Sequence, residues 1–446
     1  MWLIVLLVLS VLFIVISTTK WKLHPFMSLL LAAIGFGLLS GMPLRSINES
    51  IVEGFGGTIG YIGIVIVAGT IIGTFLEKSG GAFTLADSIL KITGKKNVPI
   101  AMSIIGYIIS IPVFCDSGFV ILSSLNKALS KNAKISLSVG AIALSLGLLA
   151  THTMVPPTPG PIAAAAILEA DLGRVILFGL VVSIPVLIVG WLFSIKVASK
   201  IYIDPQPDLS DRDIKDKMDE APATPKALLP IALPILLIIL KSVADFPAKP
   251  FGEGTLRELI GFIGHPVIAL MIGAIVAFTL PRKLNKQMLS PSGWVGEALK
   301  TGAVIILITG AGGAFGKVLQ NSGIANVLGE NIASANFGIW LPFFIAVAIK
   351  SAQGSSTVAI ITTASLIAPL ITPLGFASIT GKALAVVAIG AGSMVVSHAN
   401  DSYFWIVSQL SNMDVKTGYK LQTLGTLTIG VTAAIIVWIL SVILMP

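Results

Sequence analysis

The chain is dominated by long apolar runs that carry almost no charge. A helix needs about 20 apolar residues to cross the hydrocarbon core of a bilayer. Ten stretches are candidates: residues 2–18, 26–42, 58–76, 135–153, 174–195, 227–244, 264–280, 301–317, 383–399 and 421–445. Only 11% of the 446 residues are charged, whereas soluble domains carry about 25%. The 29 basic and 21 acidic residues cannot clothe the several domains of a soluble chain this long. A soluble enzyme, a secreted disulfide scaffold and a disordered chain are excluded. The runs do not alternate apolar with polar residues, so an outer-membrane barrel is excluded too. Cys115 is the single cysteine, which removes intramolecular disulfides and cysteine-based metal clusters.

Residues 2–17 lack the basic leader and small-residue cleavage site of a signal peptide. They are expected to be the first span, retained, with the N-terminus outside. Two further apolar pairs are interrupted. Residues 98–125 break at Pro112, Cys115, Asp116, Ser117 and Gly118, and residues 338–371 break at Lys350, Ser351, Gln353, Gly354, Ser355 and Ser356. Each arm is short for a crossing, so each pair is expected to form a re-entrant hairpin.

Alternating ten spans from an external N-terminus places 21 of the 29 Lys and Arg in inner loops and four in outer loops. That asymmetry is the positive-inside bias, and it accounts for the net charge of +8 without a nucleic-acid partner. Two full crossings per interrupted pair would leave the loop parity unchanged. The one long hydrophilic segment, 201–226, mixes acidic, basic and proline residues. It is expected to be a cytoplasmic linker between an N-terminal unit, 1–200, and a C-terminal unit, 227–446.

The two units share features in the same order. Gly73–Gly80 and Gly316–Gly323 both read G-x-x-L-x-x-S-G. Each copy precedes an interrupted hairpin, and then a hydroxyl–histidine pair: Thr151-His152 in one half, Ser397-His398 in the other. Five spans per half is an odd number, so the second half is expected to be inverted. Inverted repeats with broken helices near the midplane characterise secondary transporters. The expected fold is an all-α polytopic membrane protein, with about ten transmembrane helices and two re-entrant hairpins in an inverted-topology repeat.

Four clusters are candidates for the chemistry. A carboxylate at membrane depth costs at least about 2.5 kcal/mol. Asp116 therefore needs a partner, a cavity or a proton, and is the first candidate for proton coupling. Ser355, Ser356 and Thr357 stand where a half-helix would restart after Gly354, a place suited to a carboxylate ligand, with Lys350 as a nearby cation. The prolines Pro156, Pro157, Pro159 and Pro161, with Gly160, must break the span that ends at Thr151-His152. In Ser397-His398-Ala399-Asn400-Asp401, Asn400 and Asp401 can either bind ligand or cap an amphipathic helix at 402–411. Asp401 is the second proton-coupling candidate. Thr151, His152, Ser397, His398 and Asn400 are candidates for substrate hydroxyls. The four histidines have no metal-ligand spacing, and no phosphate-binding glycine loop is present. No metal, cofactor or ATP-driven step is expected.

The chain resembles the gluconate permease (GntP) family of the ion transporter superfamily nearly end to end. The resemblance is carried by His24-Pro25-Phe26, Gly56-Gly57-Thr58-Ile59-Gly60, Gly118-Phe119-Val120 and Pro156-Pro157-Thr158-Pro159-Gly160-Pro161. In the second half it rests on Gly312-Gly313-Ala314-Phe315, Gly354-Ser355-Ser356-Thr357-Val358-Ala359 and Ser397 through Trp405. It implies a proton-coupled symporter, not an enzyme, for small hydroxylated carboxylates in a bacterial inner membrane. Gluconate, idonate, fructuronate, glycerate and D-serine are family substrates. Lys350 falls where members commonly have a basic residue. Asp116 is displaced from the usual acidic position, and Thr158 stands where histidine is common. Superfamily analogy adds a homodimer, seated in membrane lipid, with hairpin-bearing domains that slide. A sodium-coupled carboxylate transporter is the alternative, followed by a channel and an intramembrane enzyme using Asp116 and Asp401.

Overall fold

The computed structural model describes residues 2–94, 97–206, 221–245, 250–324, 337–399 and 401–445. Asn400 and most of the expected linker lie outside the described residues. All regular structure among the described residues is helical. The first part runs α1 (Trp2–Thr19), α2 (Pro25–Leu39), α3 (Leu44–Lys78), α4 (Gly81–Thr93), α5 (Val98–Ile109), α6 (Cys115–Asn132), α7 (Leu137–His152), α8 (Pro159–Ile167) and α9 (Leu172–Lys196). The second runs α10 (Thr224–Ala244), α11 (Thr255–Ile263), α12 (Pro266–Ala277), α13 (Trp294–Asn321), α14 (Trp340–Gln353), α15 (Ser356–Ile367), α16 (Ile379–Ser393), α17 (Ser402–Leu410) and α18 (Val415–Leu444).

The apolar runs became helices, but not all became long ones. Among the described residues, α9, α10, α13 and α18 are long and apolar enough to cross a bilayer, and bent pairs in α3 and at α11–α12 raise the number to six. The expected spans at 135–153 and 383–399 fall short: α7 covers only the 16 residues Leu137–His152, and α16 stops at Ser393. Prolines end α7. Beyond α16 the backbone turns, with Val396 in the left-handed region at φ 58°.

α7 is the hub of the molecule. All sixteen of its residues are buried, among α5, α6, α9 and α18. The outer helices show the opposite pattern. Leu177, Val181, Ile184 and Ile188 on α9 and Leu424, Leu427, Val431, Ile435, Trp438 and Val442 on α18 are exposed. Their spacing of three to four residues makes an apolar stripe on each helix, a surface suited to lipid.

α3 and α13 pack antiparallel. Lys78, at the end of α3, pairs with Glu297 at the start of α13. At the other end Asn321 donates to Ser50 Oγ at 2.8 Å, and Lys317 stands 3.8 Å from Glu53. The helices approach so closely that a Cβ on Gly313 would lie 2.6 Å from the Gly54 carbonyl oxygen. The two G-x-x-L-x-x-S-G copies end these helices identically, Gly80 and Gly323 each adopting φ 77°. They therefore sit at opposite ends of one antiparallel pair.

Gly313→Val should cost about 1–3 kcal/mol by overpacking this crossing and lower the thermal midpoint in detergent. Gly56→Ala, where a Cβ meets nothing within 4 Å, should leave it within error. Equal midpoints for both variants would contradict the close crossing.

Candidate functional site

The site forms beside four chain breaks, the third of which contributes only the end of α7 before it. The first separates α5 from α6. Ser110 ends α5, Pro112 has no N–H with which to continue it, and α6 restarts at Cys115. The second separates α14 from α15 at Gly354, whose φ of 90° is open to glycine and costly for other residues. Ser355 then caps α15 by accepting the Val358 N–H at 3.3 Å. The third is Thr153–Thr158, with a cis Pro156–Pro157 bond, before α8 begins at Pro159. Pro159, Gly160 and Pro161 thus form the first turn of α8. The fourth follows α16 over 394–399, and Asp401 caps α17 through the Tyr403 N–H at 3.1 Å.

These pieces enclose a cavity of about 480 Å³. The first hairpin tip contributes Phe114, Cys115, Asp116 and Ser117; the second contributes Ser355, Ser356, Thr357 and Val358. Leu149 and His152 come from the end of α7, and Asp401, Ser402 and Tyr403 from the start of α17. Thr301, Val304, Ile305 and Ile308 on α13 form an apolar wall with one hydroxyl. The N-terminal ends of α6, α15 and α17 all reach this space, and a helix N-terminus favours negative charge through its unpaired N–H groups.

Its two carboxylates differ sharply. Asp401 is saturated. Lys350 Nζ lies 2.6 Å from its Oδ2, Ser397 Oγ donates to the same oxygen at 2.5 Å, and Oδ1 accepts the Tyr403 N–H. Lys350 also donates to the Gly354 carbonyl, and its side chain is only 2% exposed. Asp116 is held more lightly. Ser402 Oγ donates to its Oδ2 at 3.2 Å, and the Cys115 thiol lies 3.6 Å from Oδ1. No ion pair among the described residues includes Asp116.

The sequence candidates are thus partly assembled. Asp116, His152, Ser355, Ser356, Thr357 and Asp401 share the cavity. His152 is buried, its ring centroid 5.8 Å from that of Phe114, and its Nδ1 has no hydrogen-bond partner among the described residues. Lys350 and Gly354 stand behind the cavity wall. Thr151 Oγ1 donates to the Tyr107 carbonyl, Ser397 is bound to Asp401, and His398 Nε2 pairs with the Ser351 carbonyl at 2.8 Å. None of these three lines the cavity. The sequence reading named Ser117 only as part of the first hairpin break and gave Thr301 and Ser402 no ligand role. The last two had a signal: Thr301 is the polar residue opening an apolar run, and Ser402 directly follows the capping aspartate.

Comparison with known proteins identifies the family and the fold. The family model described as "GntP family permease" matches residues 2–443. A gluconate permease of Pseudomonas aeruginosa is 34% identical over 437 residues, spanning 97% of this chain and 96% of the relative. The D-serine transporter DsdX of Escherichia coli is 32% identical, spanning 99% of both chains. The crystal structure of the YdaH transporter of Alcanivorax borkumensis superposes with a TM-score of 0.64 at 16% identity, over 95% of this chain and 99% of that one. At that identity the likeness is one of fold.

Removing one partner of a buried ion pair leaves an uncompensated charge, at a cost of about 3–5 kcal/mol. Lys350→Met and Asp401→Asn should each destabilise the protein by that order in detergent unfolding. The double variant should recover at least half of the summed loss. Losses that simply add would show that the two side chains are not coupled.

Proposed function

The chain belongs to the GntP permease family, and on that premise we propose that it is a secondary active transporter importing a small hydroxylated carboxylate, gluconate first, with a proton. The carrying observation is the meeting of both hairpin tips, the end of α7 and the start of α17 in one cavity. Its volume of about 480 Å³ falls within the usual range for small-molecule sites, about 300–1,000 Å³.

The substrate carboxylate binds at the start of α15, on the Ser355–Thr357 hydroxyls and N–H groups. Its hydroxyls meet His152, Thr301 and Ser402. Lys350 acts indirectly, by holding Asp401 and Gly354 in place. Asp116 carries the proton, because Asp401 is already engaged by a cation, a hydroxyl and a backbone N–H. The α3–α13 pair, with its matched helix ends at opposite poles, supports an inverted repeat of ten spans and two re-entrant hairpins. The basic inner loops support an external N-terminus in a bacterial inner membrane. The name of the DsdX relative makes D-serine the second substrate to test.

Proteoliposomes test this reading. Wild type should accumulate labelled gluconate under an inward proton gradient. Asp116→Asn should lose accumulation while retaining gluconate exchange. Ser355→Ala should raise KM about 2–10-fold, the loss of one hydrogen bond worth about 0.5–1.5 kcal/mol. Full accumulation by Asp116→Asn would remove Asp116 as the proton carrier, and accumulation driven only by sodium would replace the proton. No uptake of gluconate, glycerate or D-serine would refute the substrate class.

A further inference from the structure

A second cavity of about 480 Å³ lies at the other end of the α3–α13 pair. It is bounded by Glu53, Gly57 and Thr58 of α3, the end of α8 with Glu169, and Gly316, Lys317 and Gln320 of α13. The site cavity touches α13 at residues 301–308 and the second cavity touches it at 313–320. At 1.5 Å per residue the two are about 18 Å apart along the helix. α15 spans the same interval, with Ser356 at the first cavity and Ala368, just beyond its end, at the second.

One lining residue of each cavity corresponds in sequence. Thr58 stands fifteen residues before Gly73, and Thr301 stands fifteen before Gly316, the first residues of the two motif copies. Thr58 lines the second cavity and Thr301 lines the first. The antiparallel packing thus places one member of a matched hydroxyl pair in each. The second cavity also has a cation on its wall, whereas no lysine or arginine is among the described residues lining the first. Lys317 is 36% exposed and stands 3.8 Å from Glu53, itself 65% exposed. The other lining carboxylate, Glu169, is paired with Lys382 at 3.3 Å. Lys317 is therefore opposed by one loosely placed carboxylate.

We infer that the second cavity is a loading site for the same hydroxycarboxylate on the opposite face, with Lys317 meeting its carboxylate and Thr58 a hydroxyl. Glu53 competes with the substrate for Lys317, which keeps the site weak. This assignment rests on the transporter reading and deepens it. On the charge-derived orientation the face is the external one.

The test measures labelled gluconate uptake in right-side-out and inside-out membrane vesicles, which present opposite faces. Lys317→Gln and Thr58→Val should raise KM at least threefold on the face bearing Lys317, and less than 1.5-fold on the other. Lys317→Arg should restore most of the affinity. Glu53→Gln should lower KM on that face about twofold or more, a gain that a purely structural ion pair would not give. Equal shifts on both faces, no shift, or a raised KM in Glu53→Gln would overturn the assignment. Gluconate uptake by wild type in those experiments leaves the transporter reading intact. Absence of wild-type uptake on either face would overturn both.

Discussion

The Lys350–Asp401 ion pair is the contact on which the site depends. Both side chains are almost wholly buried, so each would be costly alone. Their arrangement leaves little unmet. Asp401 accepts from an ammonium, a hydroxyl and a helix N–H, while Lys350 also donates to the Gly354 carbonyl. Those bonds join the end of α14, the turn into α15, the 394–399 segment and the start of α17. Well-packed apolar residues often match such a pair for stability. Its value here is register, since it fixes the α15 and α17 N-termini beside one cavity. It also withdraws the cation from the ligand. An anion in the cavity then meets N–H dipoles and hydroxyls rather than a full opposite charge, and a carrier must release what it binds.

Irregular backbone inside a membrane survives only against protein or a wet cavity. The third break follows α7, the most enclosed helix of the molecule. Around it the residues are small or apolar, and its own polar groups turn inward. Thr158 Oγ1 bonds to the Val155 carbonyl, and Thr151 Oγ1 to that of Tyr107. The fourth break is supported from α18, where Thr423 donates to the Ser397 carbonyl and Thr426 accepts the Ser397 N–H. A π-turn over Tyr419–Thr423 brings those hydroxyls to bear. Such turns occur often at functional sites.

Local chemistry was legible in the sequence; long-range pairing was not. The positions of both hairpin breaks, the proline break after His152 and the Asp401 cap of α17 follow from residues a few positions apart. Their convergence followed only from assuming that broken helices meet. Lys350 was expected to face the ligand because it lies four residues before Gly354, but nothing local specifies Asp401, 51 residues away, as its anion. Thr151 and Ser397 are polar residues in apolar surroundings, which fits ligand contact and a structural hydrogen bond equally well. Their partners decided the matter. The α13 wall was missed for a similar reason: an apolar run does not show which face it turns to a cavity. The number of crossings was read from apolar length, and length alone could not see α16 stopping at Ser393.

The contrast between the two hairpin tips gives coupling a physical basis under the proposed function. The second tip supplies hydroxyls and a helix N-terminus without a charged side chain on the cavity wall; the first supplies the Asp116 carboxylate. A bound carboxylate and an ionised Asp116 would share one cavity as like charges. Two unit charges about 6 Å apart repel by about 3 kcal/mol at an effective dielectric constant of 20. A proton on Asp116 removes that repulsion, so substrate and proton favour each other's binding. The same term opposes a site loaded with anion alone. Asp401 already accepts from Lys350, Ser397 and the Tyr403 N–H, which leaves Asp116 as the carboxylate free to take up the proton. With one carboxylate locked and the other left to the cavity, a site containing two acids can couple to one proton.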